Sequence, residues 1–332
     1  MRTARIKAEG TGFYHVMSRV IEGRSIFGSP EKEKFCEIMR KLEAFCGIRI
    51  LTHATMTTHF HLLIHVPARQ DLSDEELVRR LGILYDPPLV KEIAAQLSDS
   101  RAQGLHEQAE RIKARYTYRM YDLSEYMKSL KQRFTQYYNK RAGRKGTLWE
   151  QRFKSILVQD SQHALQTMAA YIDLNPVRAG MVDDPKDYRY CGYGEAMGGS
   201  TLAQEGLAAV IMDLEATWPK TRAKYRQFLY MQGEEKGVGE LGQPIKRGFS
   251  KDEVKAVLDA RGKLPMADVL RCRVRYFSDG LVLGSGEFVE RVFKRYRSEF
   301  GLKRKTGARP MRFGQWNGLC TMRDLRKQVV ST

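Results

Sequence analysis

Three of the chain's seven histidines fall inside one apolar run, TTHFHLLIHV at 57 to 66. An imidazole can ligate a metal ion, move a proton or simply sit in a sheet, and spacing decides among these roles. On a strand, His59, His61, Leu63 and His65 share one face, while Phe60, Leu62, Ile64 and Val66 share the other. The second set is an ordinary core face. On the first, Cα atoms two residues apart stand roughly 6.6 Å from each other at ~3.3 Å per residue. Two imidazoles at that spacing can converge on one ion with bonds of about 2.0–2.1 Å. His65 lies ~13 Å past His61 on the same rise, too far to join them. The run therefore offers a two-imidazole metal site that other residues must complete, or two partly exposed histidines on a sheet.

A second chemical constellation lies in SQHALQTMAAYIDLN at 161 to 175. Leu165, Met168, Ala169 and Ile172 recur at helical spacing and form a core stripe. At ~100° per residue, Tyr171 lies roughly 100° round from the centre of that stripe, and Asn175 follows one turn later on the same side. A phenol and an amide oxygen are thus stacked on one helix edge. Alone, Tyr171 reads as a boundary tyrosine and Asn175 as a C-terminal cap before Pro176.

The elements that must position these groups are legible around them. GFYHVMSRV (12 to 20) alternates like a strand. A helix follows, with Ser29 as cap, Pro30 in its first turn and Gly47 as its stop. IRILTHATM (48 to 56) and HFHLLIHV (59 to 66) are separated only by Thr57 and Thr58, which implies an antiparallel hairpin. Residues 68 to 120 read as an insertion of short helices broken at Pro87-Pro88. A helix over Leu123 to Arg141, a strand FKSILV (153 to 158) and a helix capped by Asp160 or Ser161 complete the order. That order is a split βαβ pattern: an α+β, ferredoxin-like antiparallel sheet with helices on its faces. After about residue 200 a small basic α/β region is expected. It comprises a capping box at SKDE (250 to 253), a hairpin around Asp279-Gly280 in RVRYFSDGLVLG, and a basic helix EFVERVFKRYRSEF.

Composition narrows the partner. The 332 residues carry a formal charge of +18, a surplus that points to a polyanion, most often nucleic acid. The five cysteines are scattered with no C-x-x-C pair, so neither a disulfide framework nor a zinc knuckle is expected. No signal-peptide pattern, membrane-length apolar run or P-loop is present, which predicts a cytoplasmic protein that does not use ATP.

The motifs together carry a family resemblance. His59-Phe60-His61, TLWEQRFKSILV and AAYIDLNPVRAGMVDDPKDYRY occur in the order seen in REP-associated tyrosine transposases, within the HUH single-tyrosine insertion-sequence transposases. The chain resembles that family over about residues 10 to 195. The resemblance implies that Tyr171 is the nucleophile and that His59, His61 and Asn175 bind a divalent metal, Mg²⁺ or Mn²⁺. It implies cleavage and rejoining of single-stranded DNA bearing hairpins or palindromic repeats, through a 5′-phosphotyrosine. Residues 1–200 would then be the catalytic domain and 201–332 an accessory DNA-binding region. A homodimer is also admitted, because dimeric relatives exchange the tyrosine helix. Two other classes stay open: a catalytically silent palindrome-binding regulator, and a rolling-circle initiator or relaxase. The missing P-loop and Thr167, one turn before Tyr171 where a second tyrosine would stand, argue against the last.

DNA contacts are expected from two places. One is the basic loop with Arg144 and Lys145, together with Trp149, Arg152 and Lys154 beside the following strand. The other is the C-terminal cluster, where nine basic residues and one acid lie between Arg291 and Arg312. Its candidates are Lys294, Arg295, Lys303, Arg304 and Lys305. The C-terminal region has no histidine, so it is expected to supply no catalytic group. Tyr126, Tyr137 and Tyr138 read as core or base-stacking groups.

Overall fold

The computed structural model describes residues 5–230, 270, 273–312, 314, 316–322 and 330–331. The capping box expected at SKDE lies outside them.

The first elements form as their patterns require: β1 (Gly12–Arg19), α1 (Ser29–Cys46), β2 (Arg49–Thr55) and β3 (His59–Val66). Gly28 holds the N-cap position of α1, with Ser29 and Pro30 inside its first turn. Gly47 ends the helix at φ 65°, a left-handed conformation that glycine adopts without strain, and its N–H donates to the Glu43 carbonyl. Phe35, Ile38, Met39, Leu42 and Phe45 make the buried stripe.

The insertion folds as three helices, α2 (Asp74–Leu84), α3 (Pro87–Ala102) and α4 (His106–Thr117). Then come α5 (Leu123–Arg141) and β4 (Lys154–Val158). Their four strands run β2-β3-β1-β4, each antiparallel to its neighbours. This is the split βαβ arrangement, and the molecule is α+β.

The sheet separates two cores. On one face Tyr14, Val16, Phe60, Leu62 and Ile64 pack with α1 and α5 and with apolar residues of the insertion. The other face carries Leu63, Ile156 and Val158. It is covered by α6 (Gln162–Asp173), α8 (Gly192–Met197), α9 (Thr201–Val210) and α10 (Trp218–Tyr230), with α7 (Asn175–Arg178) as a short turn between. The chain breaks after α6 at Leu174 and resumes with Pro176 in the first turn of α7, as a proline permits.

Beyond α10, β5 (Arg273–Val274) pairs with β9 (Val330–Ser331). Between them lie α11 (Tyr276–Asp279), β6 (Val282–Ser285), α12 (Gly286–Arg295), β7 (Arg309–Pro310) and β8 (Leu319–Thr321). β6 lies parallel to β4, and β8 and β7 follow, so among the described residues the main sheet has seven strands ordered β2-β3-β1-β4-β6-β8-β7. The region after residue 200 therefore shares the sheet of the N-terminal part. The hairpin expected at Asp279-Gly280 is absent: Asp279 ends α11, and β6 takes its partners from β4 and β8. Among the described residues no helix is long and apolar enough to cross a membrane.

Candidate metal and tyrosine site

β3 presents His59 and His61 on the face beneath α6. In the antiparallel register Arg19 stands opposite His59 and Met17 opposite His61. The two rings are 5.1 Å apart, edge to face. His65 lies at the far end of the strand, stacked on Phe13 at 4.6 Å, so it does not join the pair.

Each imidazole is held from outside. Thr58 Oγ1 lies 3.0 Å from His59 Nδ1. His61 Nδ1 lies 2.9 Å from His15 Nε2, and those two rings stack at 5.1 Å and 11°. Both His15 and His61 are buried. Burial pushes His15 down to about 3, against the opposing effect of the Phe277 backbone. Burial, then the neighbouring His59 and His15, hold His61 well below the usual imidazole range. Both rings are thus neutral, the form in which an imidazole ligates a metal.

α6 lays Tyr171 over this pair. Its ring is 6.2 Å from both His61 and His15, edge-on to each. The sequence pattern marks Tyr171 as a boundary residue, yet it is only 2% exposed. Phe277 of α11, from a distant segment, covers it at 4.7 Å, and the guanidinium of nearby Arg178 lies 4.1 Å over the ring. Arg178 also donates to the carbonyls of Tyr171 and Leu270. Asn175 is buried and caps α6, its amide nitrogen donating to Ile172 O at 3.0 Å and Tyr171 O at 3.3 Å. Those bonds tie the side chain back onto the end of α6.

Two imidazoles, with an amide oxygen to complete them, would suit a divalent ion that keeps further positions for phosphate or water oxygens. Among the described residues no group of three His, Cys, Asp or Glu side chains is arranged to hold one. An ion here would therefore need Asn175 or substrate oxygens as well as the two histidines.

His15, Arg178 and Phe277 are the neighbours of the site that sequence reasoning missed. His15 is the polar residue in the middle of GFYHVMSRV, between Tyr14 and Val16. Arg178 lies within the NPVRAG motif. Phe277 carried no local signal.

The expected DNA contacts divide. Arg152 and Lys154 line a cavity of about 220 Å³ with Met17, Arg19 and Asp279, beside the histidines, and Lys154 pairs with Asp279 at 2.7 Å. Trp149 is instead a core residue. It packs among Phe27, Phe60 and Phe134, and its indole N–H donates to Thr135 Oγ1 and Lys131 O, so no face remains for a base. Arg144 is partly buried near Thr147 O, and Lys145 is exposed. In the C-terminal cluster Lys294, Lys303 and Lys305 are exposed, while Arg295 pairs with Glu9. Arg304 donates to the Thr306, Gly307 and Met322 carbonyls and lies over Phe293 and Phe300, a structural role. The helix carrying Lys294 and Arg295 packs with Tyr14 and Val16, on the opposite face of the sheet from Tyr171.

The family model that matches is that of IS200-like transposases, over residues 11–82. The match runs from β1 through His59 and His61 of β3 into α2, and Tyr171 and Asn175 lie beyond it. A solved structure described as the REP-associated tyrosine transposase bound to a REP hairpin is 14% identical, with a TM-score of 0.37. That match covers 61% of this chain and 90% of the other. No curated protein matches the chain.

Proposed function

We propose that the chain is a transposase-like DNA transesterase that cleaves and rejoins single-stranded DNA bearing a hairpin. One observation carries the reading: the Tyr171 ring lies 6.2 Å from the ring of His61, on the helix covering the histidine face. The Tyr171 oxygen attacks the scissile phosphorus and the bond from phosphorus to the 3′ oxygen breaks. The proton given up by the phenol is balanced by the one the 3′ oxygen takes, so the products are a 5′-phosphotyrosine and a 3′-hydroxyl. The new ester keeps the energy of the phosphodiester, so a second 3′-hydroxyl can reverse the step without ATP. His59, His61 and Asn175 would hold Mg²⁺ or Mn²⁺, which supplies Lewis-acid polarisation of the phosphate. Arg178 lies over the ring that carries the attacking oxygen and adds positive charge there. Arg19 and Arg152 line the neighbouring cavity as candidates for a backbone phosphate, while Glu150 also lines it and Lys154 is paired with Asp279.

The test is covalent capture. Incubation with labelled hairpin DNA and Mn²⁺ should yield a protein–DNA adduct that Tyr171→Phe abolishes. His59→Ala or His61→Ala should abolish the adduct while keeping much of the DNA binding, since phosphate contacts supply most affinity. An adduct undiminished in Tyr171→Phe would sink the assignment. The burial of Tyr171 under Phe277 favours a second reading, a palindrome-binding regulator that does not cut. Tight hairpin binding with no adduct under any divalent ion would select it.

A further inference from the structure

We infer that His15 is a positioning residue: it fixes the proton of His61 on Nδ1 and so turns Nε2 into the metal-binding atom. The inference rests on the metal-site reading above. It starts from register. β1 and β3 pair His15 with Leu63 and Met17 with His61, so His15 is the diagonal neighbour of His61 on the same face. The rings lie nearly parallel, with His15 Nε2 2.9 Å from His61 Nδ1.

Two ring nitrogens at that distance share one proton, and for a neutral His61, the form that ligates, only two arrangements exist. If His15 donates, the His61 proton must sit on Nε2, and that nitrogen cannot ligate. If His61 donates from Nδ1, its Nε2 carries a lone pair, and His15 takes the tautomer protonated at its own Nδ1. Only the second arrangement serves a metal site. An outer partner that sets tautomer and ring orientation is how ligating histidines are ordinarily held. Thr58 engages His59 at the same ring position, so both imidazoles are held at Nδ1.

Packing alone does not account for an imidazole at position 15. Its cross-strand neighbours are Leu63 and Ile156. Among the described residues its Nδ1 is buried with only the Phe277 backbone as polar neighbour, and no bond of full geometry forms there. A buried polar atom with so weak a partner is costly, and leucine there would avoid that cost. The acceptor at Nε2 is what leucine cannot supply.

The experiment uses the full chain, labelled with ¹⁵N in histidine, and long-range ¹H–¹⁵N correlation without metal. His61 should appear as the Nδ1–H tautomer in the wild type and in His15→Gln, whose side-chain carbonyl can accept the same bond. In His15→Leu it should shift towards the Nε2–H form that free imidazole prefers. Mn²⁺ binding, followed by electron paramagnetic resonance, should weaken about tenfold or more in His15→Leu but stay within about threefold in His15→Gln, by analogy with other outer-shell losses. His59→Ala serves as the control that the titration reads this site. An Nε2–H tautomer of His61 in the wild type overturns the inference, and that measurement needs no variant to fold. Equal Mn²⁺ affinity in the wild type and a folded His15→Leu overturns it too. An Nδ1–H tautomer with no His59-dependent Mn²⁺ binding supports the hold of His15 on His61 and overturns the metal reading instead.

Discussion

Asp173 sits two residues past Tyr171 and is wholly buried. Its carboxylate accepts from Thr52 Oγ1 at 2.8 Å, Tyr225 Oη at 2.5 Å and the Tyr193 N–H at 3.1 Å. These bonds fasten the end of α6 to β2, α8 and α10, and so fix the helix that carries the proposed nucleophile. Burial nevertheless raises the carboxyl to about 6, the donors opposing it. The folded-state value therefore exceeds the unfolded one, about 3.9, and the native state binds this proton more tightly. The group's contribution to stability is fully present below the unfolded value and is lost as pH rises through about 6. Urea unfolding across pH 4 to 8 should show that decline, and subtracting the profile of Asp173→Asn should isolate it. Tyr225→Phe removes a charge-assisted bond and should cost about 1–3 kcal/mol at pH 7. The cost should shrink at pH 5, where the acid is protonated; a cost independent of pH would count against the network.

At the scale of elements, α9 meets β2 more closely than side chains allow. A Cβ on Gly206 would stand 2.6 Å from the Leu51 carbonyl oxygen and 2.9 Å from that of Ile50, at the irregularity in the β2–β3 register. Backbone cannot yield as a flexible side chain can, so Gly206→Ala should cost about 1–3 kcal/mol, read as a lower melting temperature. At the start of α5, Asp122 accepts from the Ser124 and Glu125 N–H groups, and Asp122→Ala should cost about 1 kcal/mol. Local order of this kind was legible in the chain. The alternation of β1 and β3, the stripe of α1 and the punctuation at Pro30 and Gly47 each lie within a few residues. What escaped lies between distant segments. The Asp279-Gly280 dipeptide reads as a hairpin only while the partner of β6 is unknown. The burial of Tyr171 depends on Phe277, and the bond from His15 to His61 depends on a register that neither strand spells out alone.

Across the whole molecule the charge is divided by the sheet. Arg152 and Lys154 stand beside the histidines, whereas Lys294 and Arg295 ride on a helix packed against the far face. Lys303 and Lys305 follow that helix in the chain and are exposed. If DNA reaches this second patch, it does so by wrapping round the sheet edge. Replacing Lys294, Lys303 and Lys305 with glutamate should then weaken binding of long substrates and flatten the salt slope, by about 0.7 for each single-strand phosphate no longer neutralised. Short substrates that stop at the histidines should bind as before. The C-terminal region was expected to be separable from catalysis, but its Phe277 covers Tyr171 and its β6 pairs with β4. A chain cut at residue 200 should therefore lose cooperative thermal unfolding, rather than remain a folded core with weaker DNA binding.

The pairing of β6 with β4 also bears on how the protein is made. Gln159, which holds Ser285 through its side chain, precedes it by 126 residues. At about 5–20 residues per second, a ribosome takes roughly 6 to 25 seconds to cover that interval. During it, β4 stands as an uncovered strand with Ile156, Leu157 and Val158 in its row, the kind of edge on which nascent chains stick to one another. The late strands close it. Synthesis rate and chaperone supply should thus govern soluble yield more than the stability of the finished fold does.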